Sequence, residues 1–272
     1  MGLLGNIFKK EKHKGYYEIQ IAAINKLNDA AVKVEFEIPE KLKSDFKFIP
    51  GQYINMLKSI NGKEERRSYS ICSSASEPMA IGVKRVEKGV VSSWFVNEAK
   101  VGDLIYLAKP QGNFTVPDEA KNIAALAAGS GITPILSILK SQDRFENMEL
   151  LYGNKNKNEA MFLSEIDNLK NVKTQHYFSR SSAPDSSQGR LDKESLTKRI
   201  KADLNFLQND AFLICGPEEM IFSTKNVLES LGVVSSKIKF ELFNAPVLES
   251  ILTSFSIPKL YNNALEFILS II

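Results

Sequence analysis

The stretch Asn122-Ile123-Ala124-Ala125-Leu126-Ala127-Ala128-Gly129-Ser130-Gly131-Ile132-Thr133-Pro134 decides how this chain folds. Asn122 to Ala128 is a continuous run of small apolar residues without polar alternation, the pattern of a strand buried on both faces of a parallel sheet. Two glycines follow within three residues, and a helix is predicted from Pro134. Proline is tolerated in a first helical turn, where its missing N–H would have no intrahelical partner. Strand, glycine turn and helix in this order put the turn at the carboxyl edge of an open α/β sheet, where phosphates bind. Gly129 and Gly131 permit positive φ and close backbone approach, and Thr133 is placed to cap the helix and to donate to a phosphate. The spacing is not G-x-G-x-x-G, so that fingerprint is absent, and a junction without a ligand would read the same way.

Downstream, strand and helix alternate. Strands are predicted at Met148–Tyr152, Val172–Phe178, Ala211–Cys215 and Lys237–Phe243. Helices are predicted at Glu159–Leu169, Asp192–Ile200 and Glu218–Leu231. This alternation predicts a doubly wound parallel sheet. Ser179–Gly189 is polar and serine-rich and reads as a loop. Two more strand ends carry glycine, at Tyr152-Gly153-Asn154 and Cys215-Gly216-Pro217. A buried cysteine is usually inert packing, but here Gly216 would admit a ligand and Pro217 opens the next helix. Three such turns on one sheet edge predict a ligand there.

Upstream the pattern is short and β-like. Tyr17–Ile21 and Val32–Phe36 alternate apolar and polar residues, the period of a half-buried strand. Gln52–Leu57 and Arg66–Ile71 flank Asn61-Gly62, a strong hairpin signal. Met79–Val86 and Leu104–Ala108 complete six strands, which predict an antiparallel β-barrel. One helix, Ser92–Ala99, interrupts them. The chain therefore divides into a leader (1–15), a β-barrel domain (16–117), an α/β domain (118–244) and a tail (245–272), the boundary between the two domains falling within Thr115–Lys121. In the tail, Leu260, Ala264, Leu265, Ile268 and Leu269 recur at helical spacing and predict a short amphipathic helix.

Two stretches of the barrel carry candidate chemistry. In Arg67-Ser68-Tyr69-Ser70, Arg67 and Tyr69 share a strand face. A guanidinium can pair with a phosphate, and a phenol can stack on a flat ring or hydrogen-bond to it. An ordinary edge strand reads the same. In Gly89-Val90-Val91-Ser92, a glycine turn feeds a helix with Ser92 as its expected N-cap, offering free N–H groups to an anion. A capped helix that binds nothing is the plainer reading.

Bulk properties limit the function classes. Of the 272 residues 43% are apolar and 25% charged, and the net charge of +3 gives no case for nucleic acid. The two cysteines, Cys72 and Cys215, fit a reducing compartment and are too few for a plant-type [2Fe–2S] centre. The two histidines have no metal-ligand spacing, so no metal site is expected. No stretch has the apolar length of a spanning helix, and a cytoplasmic protein is expected.

Taken in order, these motifs resemble the ferredoxin-NADP reductase superfamily over about residues 15–245, and most closely the reductase components of phenylacetyl-CoA and related multicomponent oxygenases. The matching residues are Arg67 to Ser70, Gly82-Val83-Lys84-Arg85-Val86, Gly89 to Ser92, Gly129 to Pro134, Leu151 to Asn154, Cys215 to Pro217 with Met220, and Glu241-Leu242-Phe243. The resemblance implies an NAD(P)H-dependent flavoprotein reductase. Arg67 would bind the flavin pyrophosphate, while Tyr69 and Ser70 would contact the ribityl chain and isoalloxazine. Gly89, Val91 and Ser92 would cradle the pyrophosphate, with Val83 and Lys84 beside them. Gly129, Gly131 and Thr133, with Tyr152, Gly153, Gly216 and Pro217, would hold the nicotinamide dinucleotide. Cys215 would lie beside the nicotinamide; Cys215 and Ser70 are the expected catalytic residues.

The implied flavin is FAD, because Pro110-Gln111-Gly112-Asn113-Phe114 matches the family loop near the adenosine half. NADPH is favoured over NADH, because Ser179 and Arg180 follow the third parallel strand, where relatives bind the 2′-phosphate. The chain departs from the family pattern at Lys155, where arginine often follows Tyr-Gly-Asn. It departs again from Asn244 to Ile272, which hold no cysteine where relatives continue into an iron–sulfur domain. Electrons are thus expected to pass from flavin to a separate carrier such as flavodoxin or ferredoxin, with Lys84, Arg85 and Lys88 favouring an acidic partner. A free-standing flavin or ferric reductase and a redox-sensing module without turnover are the alternatives.

Overall fold

A computed structural model describes residues 13–181 and 186–243 of the chain. The expected leader before His13 and the expected tail helix over 260–269 lie outside the described residues.

The N-terminal sheet has six strands: β1 (Tyr16–Asn28), β2 (Ala31–Glu37), β3 (Tyr53–Ile60), β4 (Lys63–Ser70), β5 (Ala80–Lys84) and β6 (Leu104–Ala108). All pair antiparallel, in the order β4-β3-β6-β1-β2-β5. A bridge between Ile71 and Ile81 joins the two edges, so the sheet curls into a partly closed barrel. Alternation sends Ile19, Ile21, Val34, Ile54, Met56, Ile81, Val83, Ile105 and Leu107 into its core. Helix α1 (Val90–Asn97) adds Trp94 and Phe95 to that core. Asn61 and Gly62 both have positive φ (51° and 76°), the primed turn that the Asn-Gly pair specifies between β3 and β4.

The second sheet is wholly parallel: β7 (Asn122–Ala128), β8 (Asn147–Asn154), β9 (Val172–Phe178), β10 (Ser186–Gln188), β11 (Ala211–Cys215) and β12 (Ile238–Glu241). Its order is β10-β9-β8-β7-β11-β12. The chain steps outward one way from β7 and the other way from β11, so the switch point lies between those strands, at Gly129 and Cys215. Among the described residues four α-helices accompany the sheet: α2 (Ile132–Leu139), α3 (Leu163–Asp167), α4 (Lys193–Ala202) and α5 (Glu218–Ser230).

Several local expectations need correction. The barrel helix begins at Val90 and its N-cap is Gly89; the Ser92 hydroxyl instead accepts from the Val86 N–H (3.1 Å) and donates to the Gly89 carbonyl (3.3 Å). Likewise α2 starts at Ile132 with Gly131 as N-cap, and Thr133 is one residue inside it, donating to the Ser130 carbonyl. The helix expected over Glu159–Leu169 is a 3-10 turn (Lys157–Glu159) and the short α3, separated by Phe162 in the left-handed conformation (φ 61°). The serine-rich loop contains β10, which adds to the β9 edge through backbone pairing and needs no apolar pattern of its own.

The two sheets share a packed interface. Cys72 and Ala80 on the barrel side belong to one buried cluster with Ile135, Leu136 and Leu139 of α2. Gly82 of β5 leaves no room for a Cβ against the Thr133 methyl and the Phe162 ring. Ser137 Oγ donates to the Ser73 carbonyl at 2.6 Å, with both residues buried.

Candidate functional site

The site is built where β4, the turn before α1, and the carboxyl ends of β7, β11 and β12 supply their residues. On β4 the odd-numbered face carries Glu65, Arg67 and Tyr69. Arg67 is exposed over half its side chain, and its Nη2 lies 3.3 Å from Glu65 Oε2. Tyr69 is partly buried, its ring edge-on to Phe95 at 5.7 Å between centroids, and burial pushes its phenol well above the usual range. A cation that can still reach solvent and a flat aromatic face sit on one side of one strand, which fits a phosphate joined to a planar heterocycle.

Gly89 brings no side-chain acceptor to the start of α1, and Ser92 uses its hydroxyl on the turn behind it, so no side chain caps the first-turn N–H groups. The same holds for α2, capped by Gly131, and α5, capped by Pro217. Helix α4, by contrast, has a complete capping box between Asp192 and Ser195. Uncapped N–H donors at α1 and α5 suit anions, whereas at α2 the Ile132 N–H already bonds back to the Gly129 and Ser130 carbonyls of the preceding turn. These donors and Arg67 match what two dinucleotides require.

At the switch point the backbones are in contact. A Cβ on Gly131 would strike the Cys215 carbonyl and the Gly216 nitrogen, and one on Gly216 would crowd Ala128. The missing Cβ of Gly216 therefore lets two strand ends approach closely. Gly129 (φ 55°) faces open space at its Cβ position and remains the accessible glycine of the turn.

Tyr152 also departs from expectation. It is fully buried, and its hydroxyl donates to the Gly129 carbonyl (3.0 Å) and accepts from the Met161 N–H (3.2 Å). Its phenol braces the glycine turn from beneath and presents nothing to a ligand. Gly153 is buried next to it, its Cβ position 3.3 Å from Leu191 Cβ. Val83 and Val91 are wholly buried in the barrel core, so only their backbones can reach a ligand. Lys84 is turned across to the Glu159 carbonyl (3.4 Å) and is half-buried, which lowers its ammonium pKa. Ser179 and Arg180 are exposed, and their N–H groups donate to the Asn154 and Lys155 carbonyls (3.0 and 2.8 Å), which brings Arg180 alongside Lys155.

One residue absent from the expected site stands at its centre. Glu241, the last residue of β12, pairs in register with Cys215, the last of β11. Its Oε2 accepts from Ser70 Oγ at 3.1 Å. Burial pushes the Glu241 carboxyl up to about 7, partly offset by the Ser70 bond. Burial first, and the Glu241 charge second, push the Cys215 thiol well above its ordinary range. Cys215 thus has a carboxyl neighbour, and that neighbour disfavours a thiolate. The sequence signal was Glu241-Leu242-Phe243 closing the last strand; only strand register shows that Glu241 ends beside Cys215. Among the described residues no cluster of His, Cys, Asp and Glu could hold a metal ion, and no helix is long and apolar enough to cross a membrane.

Comparison with known proteins agrees with this architecture. Residues 18–116 match the oxidoreductase FAD-binding domain and residues 125–226 the oxidoreductase NAD-binding domain. A component of the 1,2-phenylacetyl-CoA epoxidase of Escherichia coli (strain K12) is 31% identical over 244 residues, covering 85% of this chain and 68% of the relative. The ferredoxin reductase component of 3-ketosteroid-9-alpha-monooxygenase from Mycobacterium tuberculosis (strain CDC 1551 / Oshkosh) is 29% identical, covering 84% and 65%. The chain thus spans about two thirds of the length of these relatives. Among solved structures, a ferredoxin NADP+ reductase from Neisseria gonorrhoeae with bound FAD and NADP shares the fold at a TM-score of 0.74 and 23% identity, over 84% of this chain and 98% of that one.

Fold and site together define a flavin- and nicotinamide-dependent oxidoreductase. The chain belongs to the ferredoxin-NADP reductase family. It is an NAD(P)H-dependent flavoprotein reductase with an FAD-binding barrel and an NAD(P)-binding α/β sheet.

Proposed function

We propose that this chain oxidises NADPH at an FAD held by the barrel and delivers the electrons to a separate carrier protein, a flavodoxin or ferredoxin, in the cytoplasm. The observation that carries this reading is the Ser70–Glu241 hydrogen bond. It joins the strand bearing the aromatic and cationic pair to the sheet edge bearing the glycine turns, so one polar centre borders both halves of the site.

In this reading the FAD-binding domain is 16–117 and the NADP-binding domain 118–244. Arg67 pairs with the flavin pyrophosphate, helped by the backbone N–H groups of Gly89, Val91 and Ser92, and Tyr69 covers the ring system. Gly129, Gly131 and Thr133 take the dinucleotide pyrophosphate at the start of α2, and Arg180 with Ser179 takes the 2′-phosphate. Bound FAD supplies the acceptor for the nicotinamide hydride and the store from which electrons leave. Cys215, buried and held as a neutral thiol, would border the bound nicotinamide without competing as a nucleophile. Ser70 and Glu241 hold one exchangeable proton between them: the ionised carboxylate accepts from Ser70 Oγ, and the protonated one can donate back, freeing the Ser70 hydrogen toward the flavin. A carboxyl near 7 makes either state accessible at neutral pH.

The carrier is proposed from the relative whose name describes a ferredoxin reductase component. The test is direct. Purified protein reconstituted with FAD should show flavin absorbance, lose it anaerobically on adding NADPH, and reduce an added flavodoxin more slowly as salt rises. Protein that stays colourless after reconstitution overturns the flavin assignment. Turnover faster with free flavin or ferric chelate than with any carrier protein overturns the carrier assignment.

A further inference from the structure

Helix α2 is anchored at both ends to things that matter for the two cofactors. Its N-terminal end carries the Gly129–Gly131 turn. At its C-terminal end, about 12 Å along the axis from Ile132, stands Lys140. The Lys140 side chain is only 9% exposed, and its Nζ lies 2.6 Å from Glu165 Oε2 and 3.1 Å from Glu77 Oε2. Glu165 belongs to α3 of the α/β sheet, whereas Glu77 belongs to the barrel. Lys33 of β2 adds a second barrel cation, 3.9 Å from Glu165 Oε1 and 3.4 Å from Glu35 Oε1.

Glu77 closes the loop that continues from β4, immediately after Ser70, Ile71 and Cys72. The loop is stiffened from within: the Ser74 N–H donates to Glu77 Oε2 at 2.7 Å, and Ser73 Oγ accepts from the Ala80 N–H at 3.0 Å. One turn before Lys140, Ser137 donates to the Ser73 carbonyl. The strand carrying Tyr69 and Ser70 and the helix carrying the glycine turn are thus tied at Ser73–Ser137 and at Glu77–Lys140.

Alongside these ties, Cys72 and Ala80 make apolar contact with the inner face of α2. Apolar contact is non-directional and tolerates sliding. An ammonium shared by two carboxylates from different sheets adds a directional tie: Lys140 Nζ is held on Glu165 at 2.6 Å and reaches Glu77 at 3.1 Å.

We propose that Lys140 is a positioning residue for hydride transfer: it sets the distance between the flavin strand and the dinucleotide turn by locking α2 to the β4 loop. The proposal rests on the reading that flavin lies along Arg67–Ser70 and the dinucleotide on Gly129–Thr133. A shift on the order of 1 Å at the reacting centre is enough to cost about 100-fold in rate.

The test uses the FAD-reconstituted chain, with Lys140→Met, Lys140→Arg and, in case the methionine variant does not fold, Glu77→Gln. Four quantities are read: FAD affinity by fluorescence titration, the limiting rate of flavin reduction by NADPH in stopped flow, the KM for NADPH, and the long-wavelength charge-transfer absorbance of the flavin–nicotinamide pair. Lys140→Met and Glu77→Gln should keep FAD affinity and KM within about twofold, while the limiting rate falls by about tenfold or more and the charge-transfer band weakens. Lys140→Arg, which keeps the charge, should restore both. Wild-type rate and band in the methionine variant or in Glu77→Gln overturn the proposal. So does a loss in which FAD affinity falls in step with rate and arginine gives no rescue, since that is general destabilisation. A wild type that binds no FAD, or is not reduced by NADPH, strikes the proposed function instead, and is told apart by failing before any variant is compared.

Discussion

Ser70 and Glu241 are 171 positions apart in the chain, yet the serine hydroxyl donates to the glutamate carboxyl at 3.1 Å. Each is the last residue of its strand, β4 in one sheet and β12 in the other. The bond places a titratable group between the two halves of the site.

Its pH dependence follows from burial. The Glu241 carboxyl is raised from an ordinary 4.5 to about 7. Folding therefore favours the protonated form. Its contribution to stability is complete below about pH 4.5 and is lost as pH rises through about 7. Glu241→Gln should flatten this dependence: the melting temperature of wild type relative to the variant should fall between about pH 5 and pH 8. The rate of flavin reduction should show an inflection near pH 7 in wild type and none in the variant. Identical profiles would remove Glu241 from both roles.

Cys215→Ser should keep FAD bound and slow its reduction by NADPH by about tenfold or more, the scale on which a displaced reactant acts. The raised thiol pKa predicts that iodoacetamide at about pH 8 leaves Cys215 largely unmodified in the folded protein. An unchanged reduction rate would reduce Cys215 to packing.

Arg67→Ala should weaken FAD binding by about 1.5–3 kcal/mol, the range for a hydrogen bond to a charged group. The substitution also strips Glu65 of its nearer cation, leaving Lys63 at 3.9 Å. Flavin fluorescence titration measures the loss, and an unchanged dissociation constant would move the pyrophosphate elsewhere.

Arg180→Ala should lower kcat/KM for NADPH by about 10- to 100-fold, again the scale of one charged hydrogen bond, and leave NADH unaffected. Equal kcat/KM for the two cofactors in wild type would withdraw the assignment of the exposed Arg180–Lys155 side as a 2′-phosphate site.

Gly131→Ala forces a Cβ onto the Cys215 carbonyl. Backbone on both sides leaves nothing flexible to yield, so a loss of about 1–3 kcal/mol is expected, read as a lowered denaturation midpoint. Gly129→Ala meets open space but must hold a positive φ of 55°, and should cost less.

Most strands and turns of the two sheets were legible because their signals are local. Asn61-Gly62 can hardly do anything but turn, Val172–Phe178 reads as a strand by itself, and the run Asn122–Ala128 has nowhere to lie but inside. Motif order also carried the family resemblance, and that resemblance implied FAD and the nicotinamide dinucleotide. What local pattern could not supply was anything that depends on which atoms a fold leaves free. Ser92 and Thr133 look like caps in sequence, but their hydroxyls are used by nearby carbonyl and amide groups. Tyr152 sits in a motif that reads as ligand-facing, yet its phenol is consumed beneath Gly129. β10 forms because an edge offers backbone partners, a property of β9 and not of Ser186–Gln188. Glu241 is the clearest case. Its type and position were in view throughout, but its raised pKa and its two neighbours, Ser70 and Cys215, exist only because one parallel register and one inter-sheet contact bring residues 70, 215 and 241 together in a place that water largely leaves.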